Sequence, residues 1–145
     1  EEIEPEIKIP IMAYIPQTYI SDQTQRVTFY KRLSQVRDLN ELQDLQTEMK
    51  DRYGQLPQVV ENLFQLIQIK LWCRRLAIKR LDTKDGLLRV YFHSKTPISS
   101  EKIVNFLKTH PSYSFTAQNA LLIPLKKEHI FKKLEKTIQS LEEMI

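Results

Sequence analysis

The order of the periodic patterns along the chain constrains its fold more than any other feature. Apolar residues recur at helical spacing in three consecutive segments, over about 24–36, 38–53 and 57–77. The two-residue alternation that is typical of strands dominates only after these segments. Helices followed by strands mixed with helices favour an α+β fold over the regular alternation of α/β folds. We therefore predict a single α+β domain in which N-terminal helices pack with a small, mostly antiparallel sheet and a long C-terminal amphipathic helix.

Local signals mark the ends of the first three predicted helices. Asp38, with Glu41 three residues later, resembles a capping box and begins the second helix. Gly54 ends that helix as a left-handed C-cap, and Pro57 suits the first turn of the third helix. The first helix is expected to bury five apolar side chains, namely Val27, Phe29, Tyr30, Leu33 and Val36.

Edge and turn signals place the first predicted strands. Pro10 confines the alternating segment 7–11 to a sheet edge, because proline offers no backbone N–H to a ladder. The dipeptide Asp85-Gly86 predicts a hairpin that joins strands over 78–81 and 87–92.

The C-terminal third adds two helices and a second hairpin. Ser99 is expected to cap a short helix that ends near Thr109, and a hairpin turns near Asn119. The final helix begins at about Lys127 and carries a regular apolar stripe up to Ile145.

Domain boundaries are predicted from the first six residues. Segment 1–6 is acidic and contains Pro5, which is typical of a linker, so the predicted domain covers 7–145. The chain has neither an initiator methionine nor a signal peptide, and we take it as part of a larger cytoplasmic protein. No stretch approaches the roughly 18 uncharged apolar residues of a membrane-spanning helix.

Composition argues against several classes of chemistry. With 2 glycines among 145 residues, the chain cannot supply the glycine-rich loop of P-loop or dinucleotide-binding proteins. Its single cysteine, Cys73, excludes an internal disulfide and a cysteine-built zinc site, and we expect it to be a small buried hydrophobe. His93, His110 and His129 lack the spacing of metal ligands. We therefore expect no catalytic site, cofactor or metal in this chain, and a hydrolase site assembled only in three dimensions is the remaining enzyme hypothesis.

Charge is distributed unevenly along the sequence. Residues 1–57 carry a net charge of −3, whereas residues 58–145 carry +7. The region between positions 70 and 89 concentrates basic side chains, of which the candidate patch comprises Lys70, Arg74, Arg75, Lys79 and Arg80. Such a cluster is either a solvated surface or a site for nucleic-acid phosphates or an acidic protein surface.

The segment Glu48-Met49-Lys50-Asp51-Arg52-Tyr53-Gly54 contains the most specific charge pattern. Glu48, Asp51 and Arg52 are spaced i, i+3 and i+4, so they share one flank of the second helix. A structural interpretation is an intrahelical Glu48–Arg52 pair, which contributes roughly 0.2–0.5 kcal/mol. A functional interpretation is a mixed-charge surface that docks a complementary partner. We refer to these three residues as the charged patch.

Several motifs, in order, resemble one family over essentially the whole chain. The chain is similar to the C-terminal domain of bacterial transcription-repair coupling factors in the segments Ala13-Tyr14-Ile15-Pro16, Tyr19-Ile20, Arg26, Phe29-Tyr30-Lys31-Arg32, Asp51-Arg52-Tyr53-Gly54, Leu56-Pro57 and Leu76-Ala77-Ile78-Lys79-Arg80-Leu81. The family usually has acidic residues after Ile15-Pro16, where this chain has Gln17 and Thr18.

The resemblance implies a regulatory role. It implies a parent protein that is an ATP-driven translocase on double-stranded DNA, with ATP and Mg²⁺ bound by motor domains outside this chain. That parent displaces stalled RNA polymerase and recruits excision repair. The resemblance further implies that this domain packs on an N-terminal UvrB-like module, covers its UvrA-binding surface and restrains the motor. In the family this contact uses a Glu-x-x-Asp-Arg surface, which corresponds here to Glu48, Asp51 and Arg52. The alternative hypothesis is a basic nucleic-acid-binding module.

Overall fold

The computed structural model describes residues 3–126 and 129–145. Within these residues the chain forms five helices and a five-stranded sheet, which confirms the predicted α+β class. In chain order the elements are β1 (Glu6–Lys8), α1 (Gln23–Ser34), α2 (Leu39–Tyr53), α3 (Gln58–Leu76), β2 (Ile78–Lys84), β3 (Leu87–Phe92), α4 (Ser100–Thr109), β4 (Ser114–Phe115), β5 (Ala120–Pro124) and α5 (Ile130–Glu142). The predicted start of the final helix near Lys127 lies outside the described residues.

The chain divides into two compact units. The helical unit comprises Ile11–Leu71, and the sheet unit comprises the segment up to Pro10 together with Trp72–Ile145. Strand β1 begins at Glu6, the last residue of the predicted linker. The division into a linker over 1–6 and one domain over 7–145 stays a prediction.

Aspartate caps begin the first two helices of the helical unit. Asp22 Oδ1 accepts a hydrogen bond from Thr24 N at 2.8 Å, and Asp38 Oδ1 accepts one from Glu41 N at 2.8 Å. The Glu41 carboxylate accepts from Arg37 N at 3.0 Å, one residue before the position used in the usual capping box. The sequence signal at Asp38 therefore identified the helix start correctly.

The core of the helical unit is formed by one buried stripe from each helix. The buried side chains of the three helices and their connections include Phe29, Leu33, Val36, Leu42, Leu45, Met49, Val60 and Phe64. The predicted burial of Val27 and Tyr30 is wrong, since these side chains are 46% and 39% exposed. A helix turns one narrow stripe inward, and in α1 Phe29 and Leu33, four residues apart, occupy that stripe.

The sheet has strand order β1-β2-β3-β5-β4. Strand β1 pairs in parallel with β2 at one edge, and the other three pairings are antiparallel, as the sequence predicted. Asp85 and Gly86 have φ values of +52° and +76°, which gives the two-residue hairpin turn that favours glycine. A second turn follows at Asn119, whose φ is +59°. Both predicted hairpins are therefore confirmed.

Opposite faces of the sheet differ in burial. Side chains on one face are buried and include Leu81, Leu88, Val90, Phe92, Leu121 and Ile123. Helix α4 begins at Ser99, and Ile98 and Ile103 on either side of this cap are both buried. Helix α5 buries a stripe that includes Phe131, Leu134, Ile138 and Leu141, whereas Ile145 beyond it is 57% exposed. The other face of the sheet carries mostly polar and charged side chains, which are described below.

Candidate interaction surface

The charged patch lies on the second half of α2, on the flank that faces away from the core. Met49 and Leu45 on the same helix are buried, so α2 is fixed by its apolar stripe. The side chains of Glu48 and Arg52 are 36% and 46% exposed, and Asp51 is exposed. The patch is therefore available on the surface of the helical unit, as a docking role requires.

Glu48 is held mainly by an arginine from another helix. Arg32 of α1 donates from Nη1 and Nη2 to the two carboxylate oxygens of Glu48, at 2.5 Å and 2.7 Å. Arg52 donates to Glu48 Oε2 at 3.4 Å, so the intrahelical pair predicted from the sequence is present but is the weaker contact. Sequence spacing missed Arg32, because sixteen residues separate it from Glu48 and no helical repeat connects them.

This ion pair keeps Glu48 ionised. The Arg32 hydrogen bonds and charge, with a smaller contribution from Arg52, lower the pKa of Glu48 despite partial burial. The same pair raises the pKa of Arg32 above its already high ordinary value. At neutral pH the Arg32–Glu48 pair therefore keeps the Glu48 carboxylate in its charged form.

Aromatic rings support both arginines. The guanidinium carbons of Arg32 and Arg52 lie 5.3 Å and 5.4 Å from the centre of the Phe29 ring, and that of Arg52 lies 5.1 Å from the Tyr53 ring. Such cation–π contacts orient a guanidinium without using its N–H donors. Arg52 thus keeps most of its donors for another acceptor while its position is restricted.

Two tyrosines fix the end of α2 beneath the patch. Tyr19 Oη donates to the carbonyl of Gly54 at 2.7 Å, and Tyr53 Oη donates to Gln25 Oε1 at 2.5 Å. Gly54 has a positive φ, as predicted, but its φ of +90° and ψ of −169° differ from the left-handed helical cap that the sequence suggested. Burial of the Tyr19 hydroxyl, with a contribution from Tyr53, raises the pKa of Tyr19.

Asp51 differs from the other two members of the patch. Within residues 3–126 and 129–145, no side chain forms an ion pair with its exposed carboxylate. Asp51 therefore contributes an exposed carboxylate whose oxygens are accessible to a partner.

Most members of the predicted basic patch are occupied by carboxylates of this chain. Arg74 Nη2 donates to Glu4 at 3.0 Å, Arg75 is paired with Glu142, and Arg80 Nε donates to Asp82 at 2.8 Å. Of the other two members, Lys70 of the helical unit also has an interaction partner. Lys79 is exposed in the register irregularity between Ile78 and Arg80. These pairings lower the local positive charge. The nucleic-acid hypothesis stays a prediction, and duplex binding that weakens steeply with added salt is its test.

Other candidate groups are placed in non-reactive surroundings. Cys73 is buried, and burial raises the pKa of its thiol to about 12, as expected of a structural cysteine. Among the described residues, no group of three or more histidine, cysteine or acidic side chains is arranged to hold a metal ion. Nor does any described helix combine the length and apolar content needed to cross a bilayer.

Comparison with known proteins identifies the family. A family model described as the TRCF domain matches residues 9–103, which is more than half of the chain. The chain belongs to the TRCF domain family. The matched range contains α1, α2 and α3, with the whole charged patch, and the resemblance inferred from the sequence motifs is thereby confirmed.

Curated relatives carry one common name. The chain is 35% identical over 107 residues to the transcription-repair-coupling factor of Myxococcus xanthus, an alignment that covers 74% of this chain and 9% of that protein. It is 32% identical over 130 residues to the transcription-repair-coupling factor of Rickettsia bellii, which covers 90% of this chain and 11% of that protein. The chain thus spans about a tenth of the length of these relatives.

A solved structure shares the fold. The crystal structure of a C-terminal domain of transcription-repair coupling factor superposes with a TM-score of 0.84 at 24% sequence identity. The alignment covers 99% of this chain and 94% of that one. The α+β architecture described above is therefore that of a known domain.

Proposed function

We propose that this TRCF domain is a non-enzymatic, autoinhibitory interaction domain at the C-terminal end of a transcription-repair coupling factor. In this proposal the parent is a cytoplasmic, ATP-dependent DNA translocase that displaces stalled RNA polymerase and recruits excision repair. The domain contacts the N-terminal UvrB-like module of the same protein and masks its UvrA-binding surface. Family membership supports the general role, and the exposed charged patch supports the mode of contact.

The exposure and incomplete pairing of the charged patch are the observations that carry this proposal. Arg52 is only loosely bonded to Glu48, and Asp51 has no ion-pair partner among the described residues. A partner surface with one carboxylate and one cation can bind both side chains without breaking the Arg32–Glu48 pair. Charged contacts of this kind suit a reversible interface between domains, which is more polar than a permanent one.

The mechanism is a two-state equilibrium. The domain favours the closed state only to the extent that it binds the UvrB-like module better in that state than in the open one. A surplus of about 1.4 kcal/mol changes the ratio of closed to open molecules tenfold. In this proposal the charged contacts on α2 shift the equilibrium toward the closed state and still allow its release.

Asp51→Lys in the full-length parent is the sharpest test. Asp51 has no ion pair to lose within the part of the chain that the structure describes, so the variant should fold normally while reversing one charge of the contact. We expect a several-fold rise in basal ATPase activity and in UvrA binding. The triple variant Glu48→Ala, Asp51→Ala, Arg52→Ala should show the same rise or a larger one.

A matched control lies on the same helix. Gln43 and Lys50 are exposed on a different flank of α2, and replacing both by alanine should leave ATPase activity and UvrA binding unchanged. Wild-type values in both Asp51→Lys and the triple variant, with thermal unfolding confirming that they are folded, would show that the charged patch does not restrain the parent.

A further inference from the structure

The polar face of the sheet carries two arginines, Arg80 and Arg89, of which Arg80 also belongs to the predicted basic patch. Residues directly opposite each other in a ladder share a face. Between β2 and β3 the register pairs Arg80 with Tyr91 and Asp82 with Arg89. On the opposite edge of β3, Arg89 is paired with Leu122 of β5. We refer to this set as the arginine face; its members are Arg80, Asp82, Leu87, Arg89, Tyr91 and Leu122.

A buried carboxylate organises this face. Asp82 is only 3% exposed, and its oxygens accept hydrogen bonds from Arg89 Nε at 2.5 Å, Arg89 Nη2 at 2.9 Å and Arg80 Nε at 2.8 Å. Burial alone would favour the neutral acid, but the bonds and charges of Arg89 and Arg80 outweigh it and lower the pKa of Asp82. One fixed negative charge therefore positions two guanidinium groups from adjacent strands.

Both arginines retain donors that Asp82 does not use. A guanidinium has five N–H donors in a planar fork, and Asp82 takes only the Nε side of Arg80. The outer nitrogen of Arg80, Nη1, lies 3.5 Å from Glu6 of β1, while Glu6 forms a closer pair with Lys8 at 3.0 Å. A carboxylate of this chain thus already lies at the outer edge of Arg80, at the limit of hydrogen-bond distance.

Apolar side chains flank the two guanidinium groups. Leu87, Tyr91 and Leu122 are half-buried on the same face, and the guanidinium carbon of Arg89 lies 5.6 Å from the centre of the Tyr91 ring. Arginine, tyrosine and half-buried apolar groups in one place are compatible with the centre of a protein–protein interface, where aromatic residues and arginine are enriched. Nucleic-acid interfaces are more polar and more strongly positive. Lys8 and Lys84 add positive charge here, but Glu6 and Asp82 offset it.

We propose that the arginine face binds a protein segment that presents a glutamate or aspartate next to apolar side chains. The partner carboxylate binds the outer donors of Arg80 and Arg89, and its apolar neighbours pack on Leu87, Tyr91 and Leu122. Glu6 competes with that carboxylate for Arg80. The face belongs to the sheet unit and shares no residue with the charged patch, so this inference is independent of the autoinhibitory contact.

A helical peptide probe tests the proposal on the 145-residue chain. The probe is an alanine-based helix with glutamate and leucine side chains on one face, titrated by NMR against isotope-labelled protein. We expect shifts of the Arg80 and Arg89 Nε–H signals and of the β2 and β3 amides. The matched peptide with glutamine in place of glutamate should bind at least tenfold more weakly.

Variants separate binding from folding. Glu6→Gln should raise the peptide affinity two- to fivefold, because it removes the competing carboxylate without disturbing Asp82. Arg89→Gln should lower the affinity at least tenfold, whereas Lys108→Gln, on α4 and away from this face, should leave it unchanged.

Three outcomes would overturn the proposal. The first is equal binding of the glutamate and glutamine peptides. The second is an absence of peptide-dependent shifts in a protein whose spectrum shows that it is folded. The third is preferential binding of duplex or single-stranded DNA to this face, with the peptide displaced, which would instead identify a nucleic-acid surface.

Discussion

The helical and sheet units each contain a carboxylate bound by two arginines, and the two clusters differ mainly in burial. In the helical unit, Glu48 between Arg32 and Arg52 has a side chain that is 36% exposed. In the sheet unit, Asp82 between Arg80 and Arg89 has a side chain that is 4% exposed. An exposed carboxylate can exchange partners with water at little cost, whereas a buried one leaves unsatisfied charge when a partner is lost. The same chemical triad therefore suits a reversible contact in one place and a fixed scaffold in the other.

Removal of the buried carboxylate should have the largest effect. Asp82→Ala leaves Arg80 and Arg89 side by side without their shared counter-ion, and we expect a loss of about 2–3 kcal/mol in the free energy of unfolding. Urea denaturation should show a lower midpoint with an unchanged m-value. Glu135→Ala, at an exposed position of α5, serves as the control and should be near neutral. A loss for Asp82→Ala of about 1 kcal/mol or less, no larger than the loss expected in the exposed cluster, would show that burial does not distinguish the two clusters energetically.

Arg32→Gln in the exposed cluster should have an intermediate effect. It removes two short hydrogen bonds to Glu48, and because both side chains are substantially exposed we expect a loss of about 1 kcal/mol. A double-mutant cycle with Glu48→Gln isolates the coupling between the two residues. A coupling free energy near zero would mean that hydration of the two separated side chains is as favourable as the bidentate Arg32–Glu48 pair.

Arg52→Gln should have a smaller effect on stability. Its bond to Glu48 is long, at 3.4 Å, and an i,i+4 pair on a helix contributes about 0.3–0.5 kcal/mol. Chemical denaturation of the isolated chain measures this loss, while basal ATPase activity of the parent measures the docking role. If Arg52→Gln lowers the free energy of unfolding as much as Arg32→Gln does, Arg52 stabilises the fold and is not mainly a docking residue.

The smallest expected effect is on the free energy of unfolding at acidic pH. The pKa values of Glu48 and Asp82 are lowered in the folded protein, so both groups stabilise it above their unfolded values of about 4.3 and 3.9. That contribution is lost as the pH falls through the folded-state pKa values. Glu48→Gln and Asp82→Asn should each flatten the acid limb of unfolding. An acid limb that is unchanged in both variants, measured by denaturation between neutral and acidic pH, would contradict the lowered pKa values.

Local signals in the sequence predicted most of the elements. The Asp38 cap, the Asp85-Gly86 turn and the Ser99 cap act through neighbouring backbone groups, so their effect is readable from a few consecutive residues. Burial on α1 was less predictable, because apolar residues occupy more than one side of that helix and only packing decides which side faces the core.

The site residues that could not be predicted from the sequence are those that pair with a partner far away in the chain. Glu48 and Arg52 were identified by their helical spacing, but Arg32 lies on another helix. The basic stretch from Lys70 to Arg89 was visible as composition, whereas the carboxylates that pair with it come from distant positions such as Glu4 and Glu142. Charge counts along a sequence do not reveal which charges neutralise each other after folding.

The parallel pairing of β1 with β2 has a consequence for the order of assembly. Glu6 is aligned with Arg80, so the first strand of the chain finds its neighbour only after the whole helical unit has been synthesised. Pairing two strands that are so far apart in the sequence costs loop-closure entropy. The three residues of β1 offset this cost with only a few backbone hydrogen bonds. The three-residue strand β1 should therefore detach from β2 more readily than the longer strand β3 does. Each detachment would remove Glu6 from beside Arg80 and expose the unpaired edge of β2.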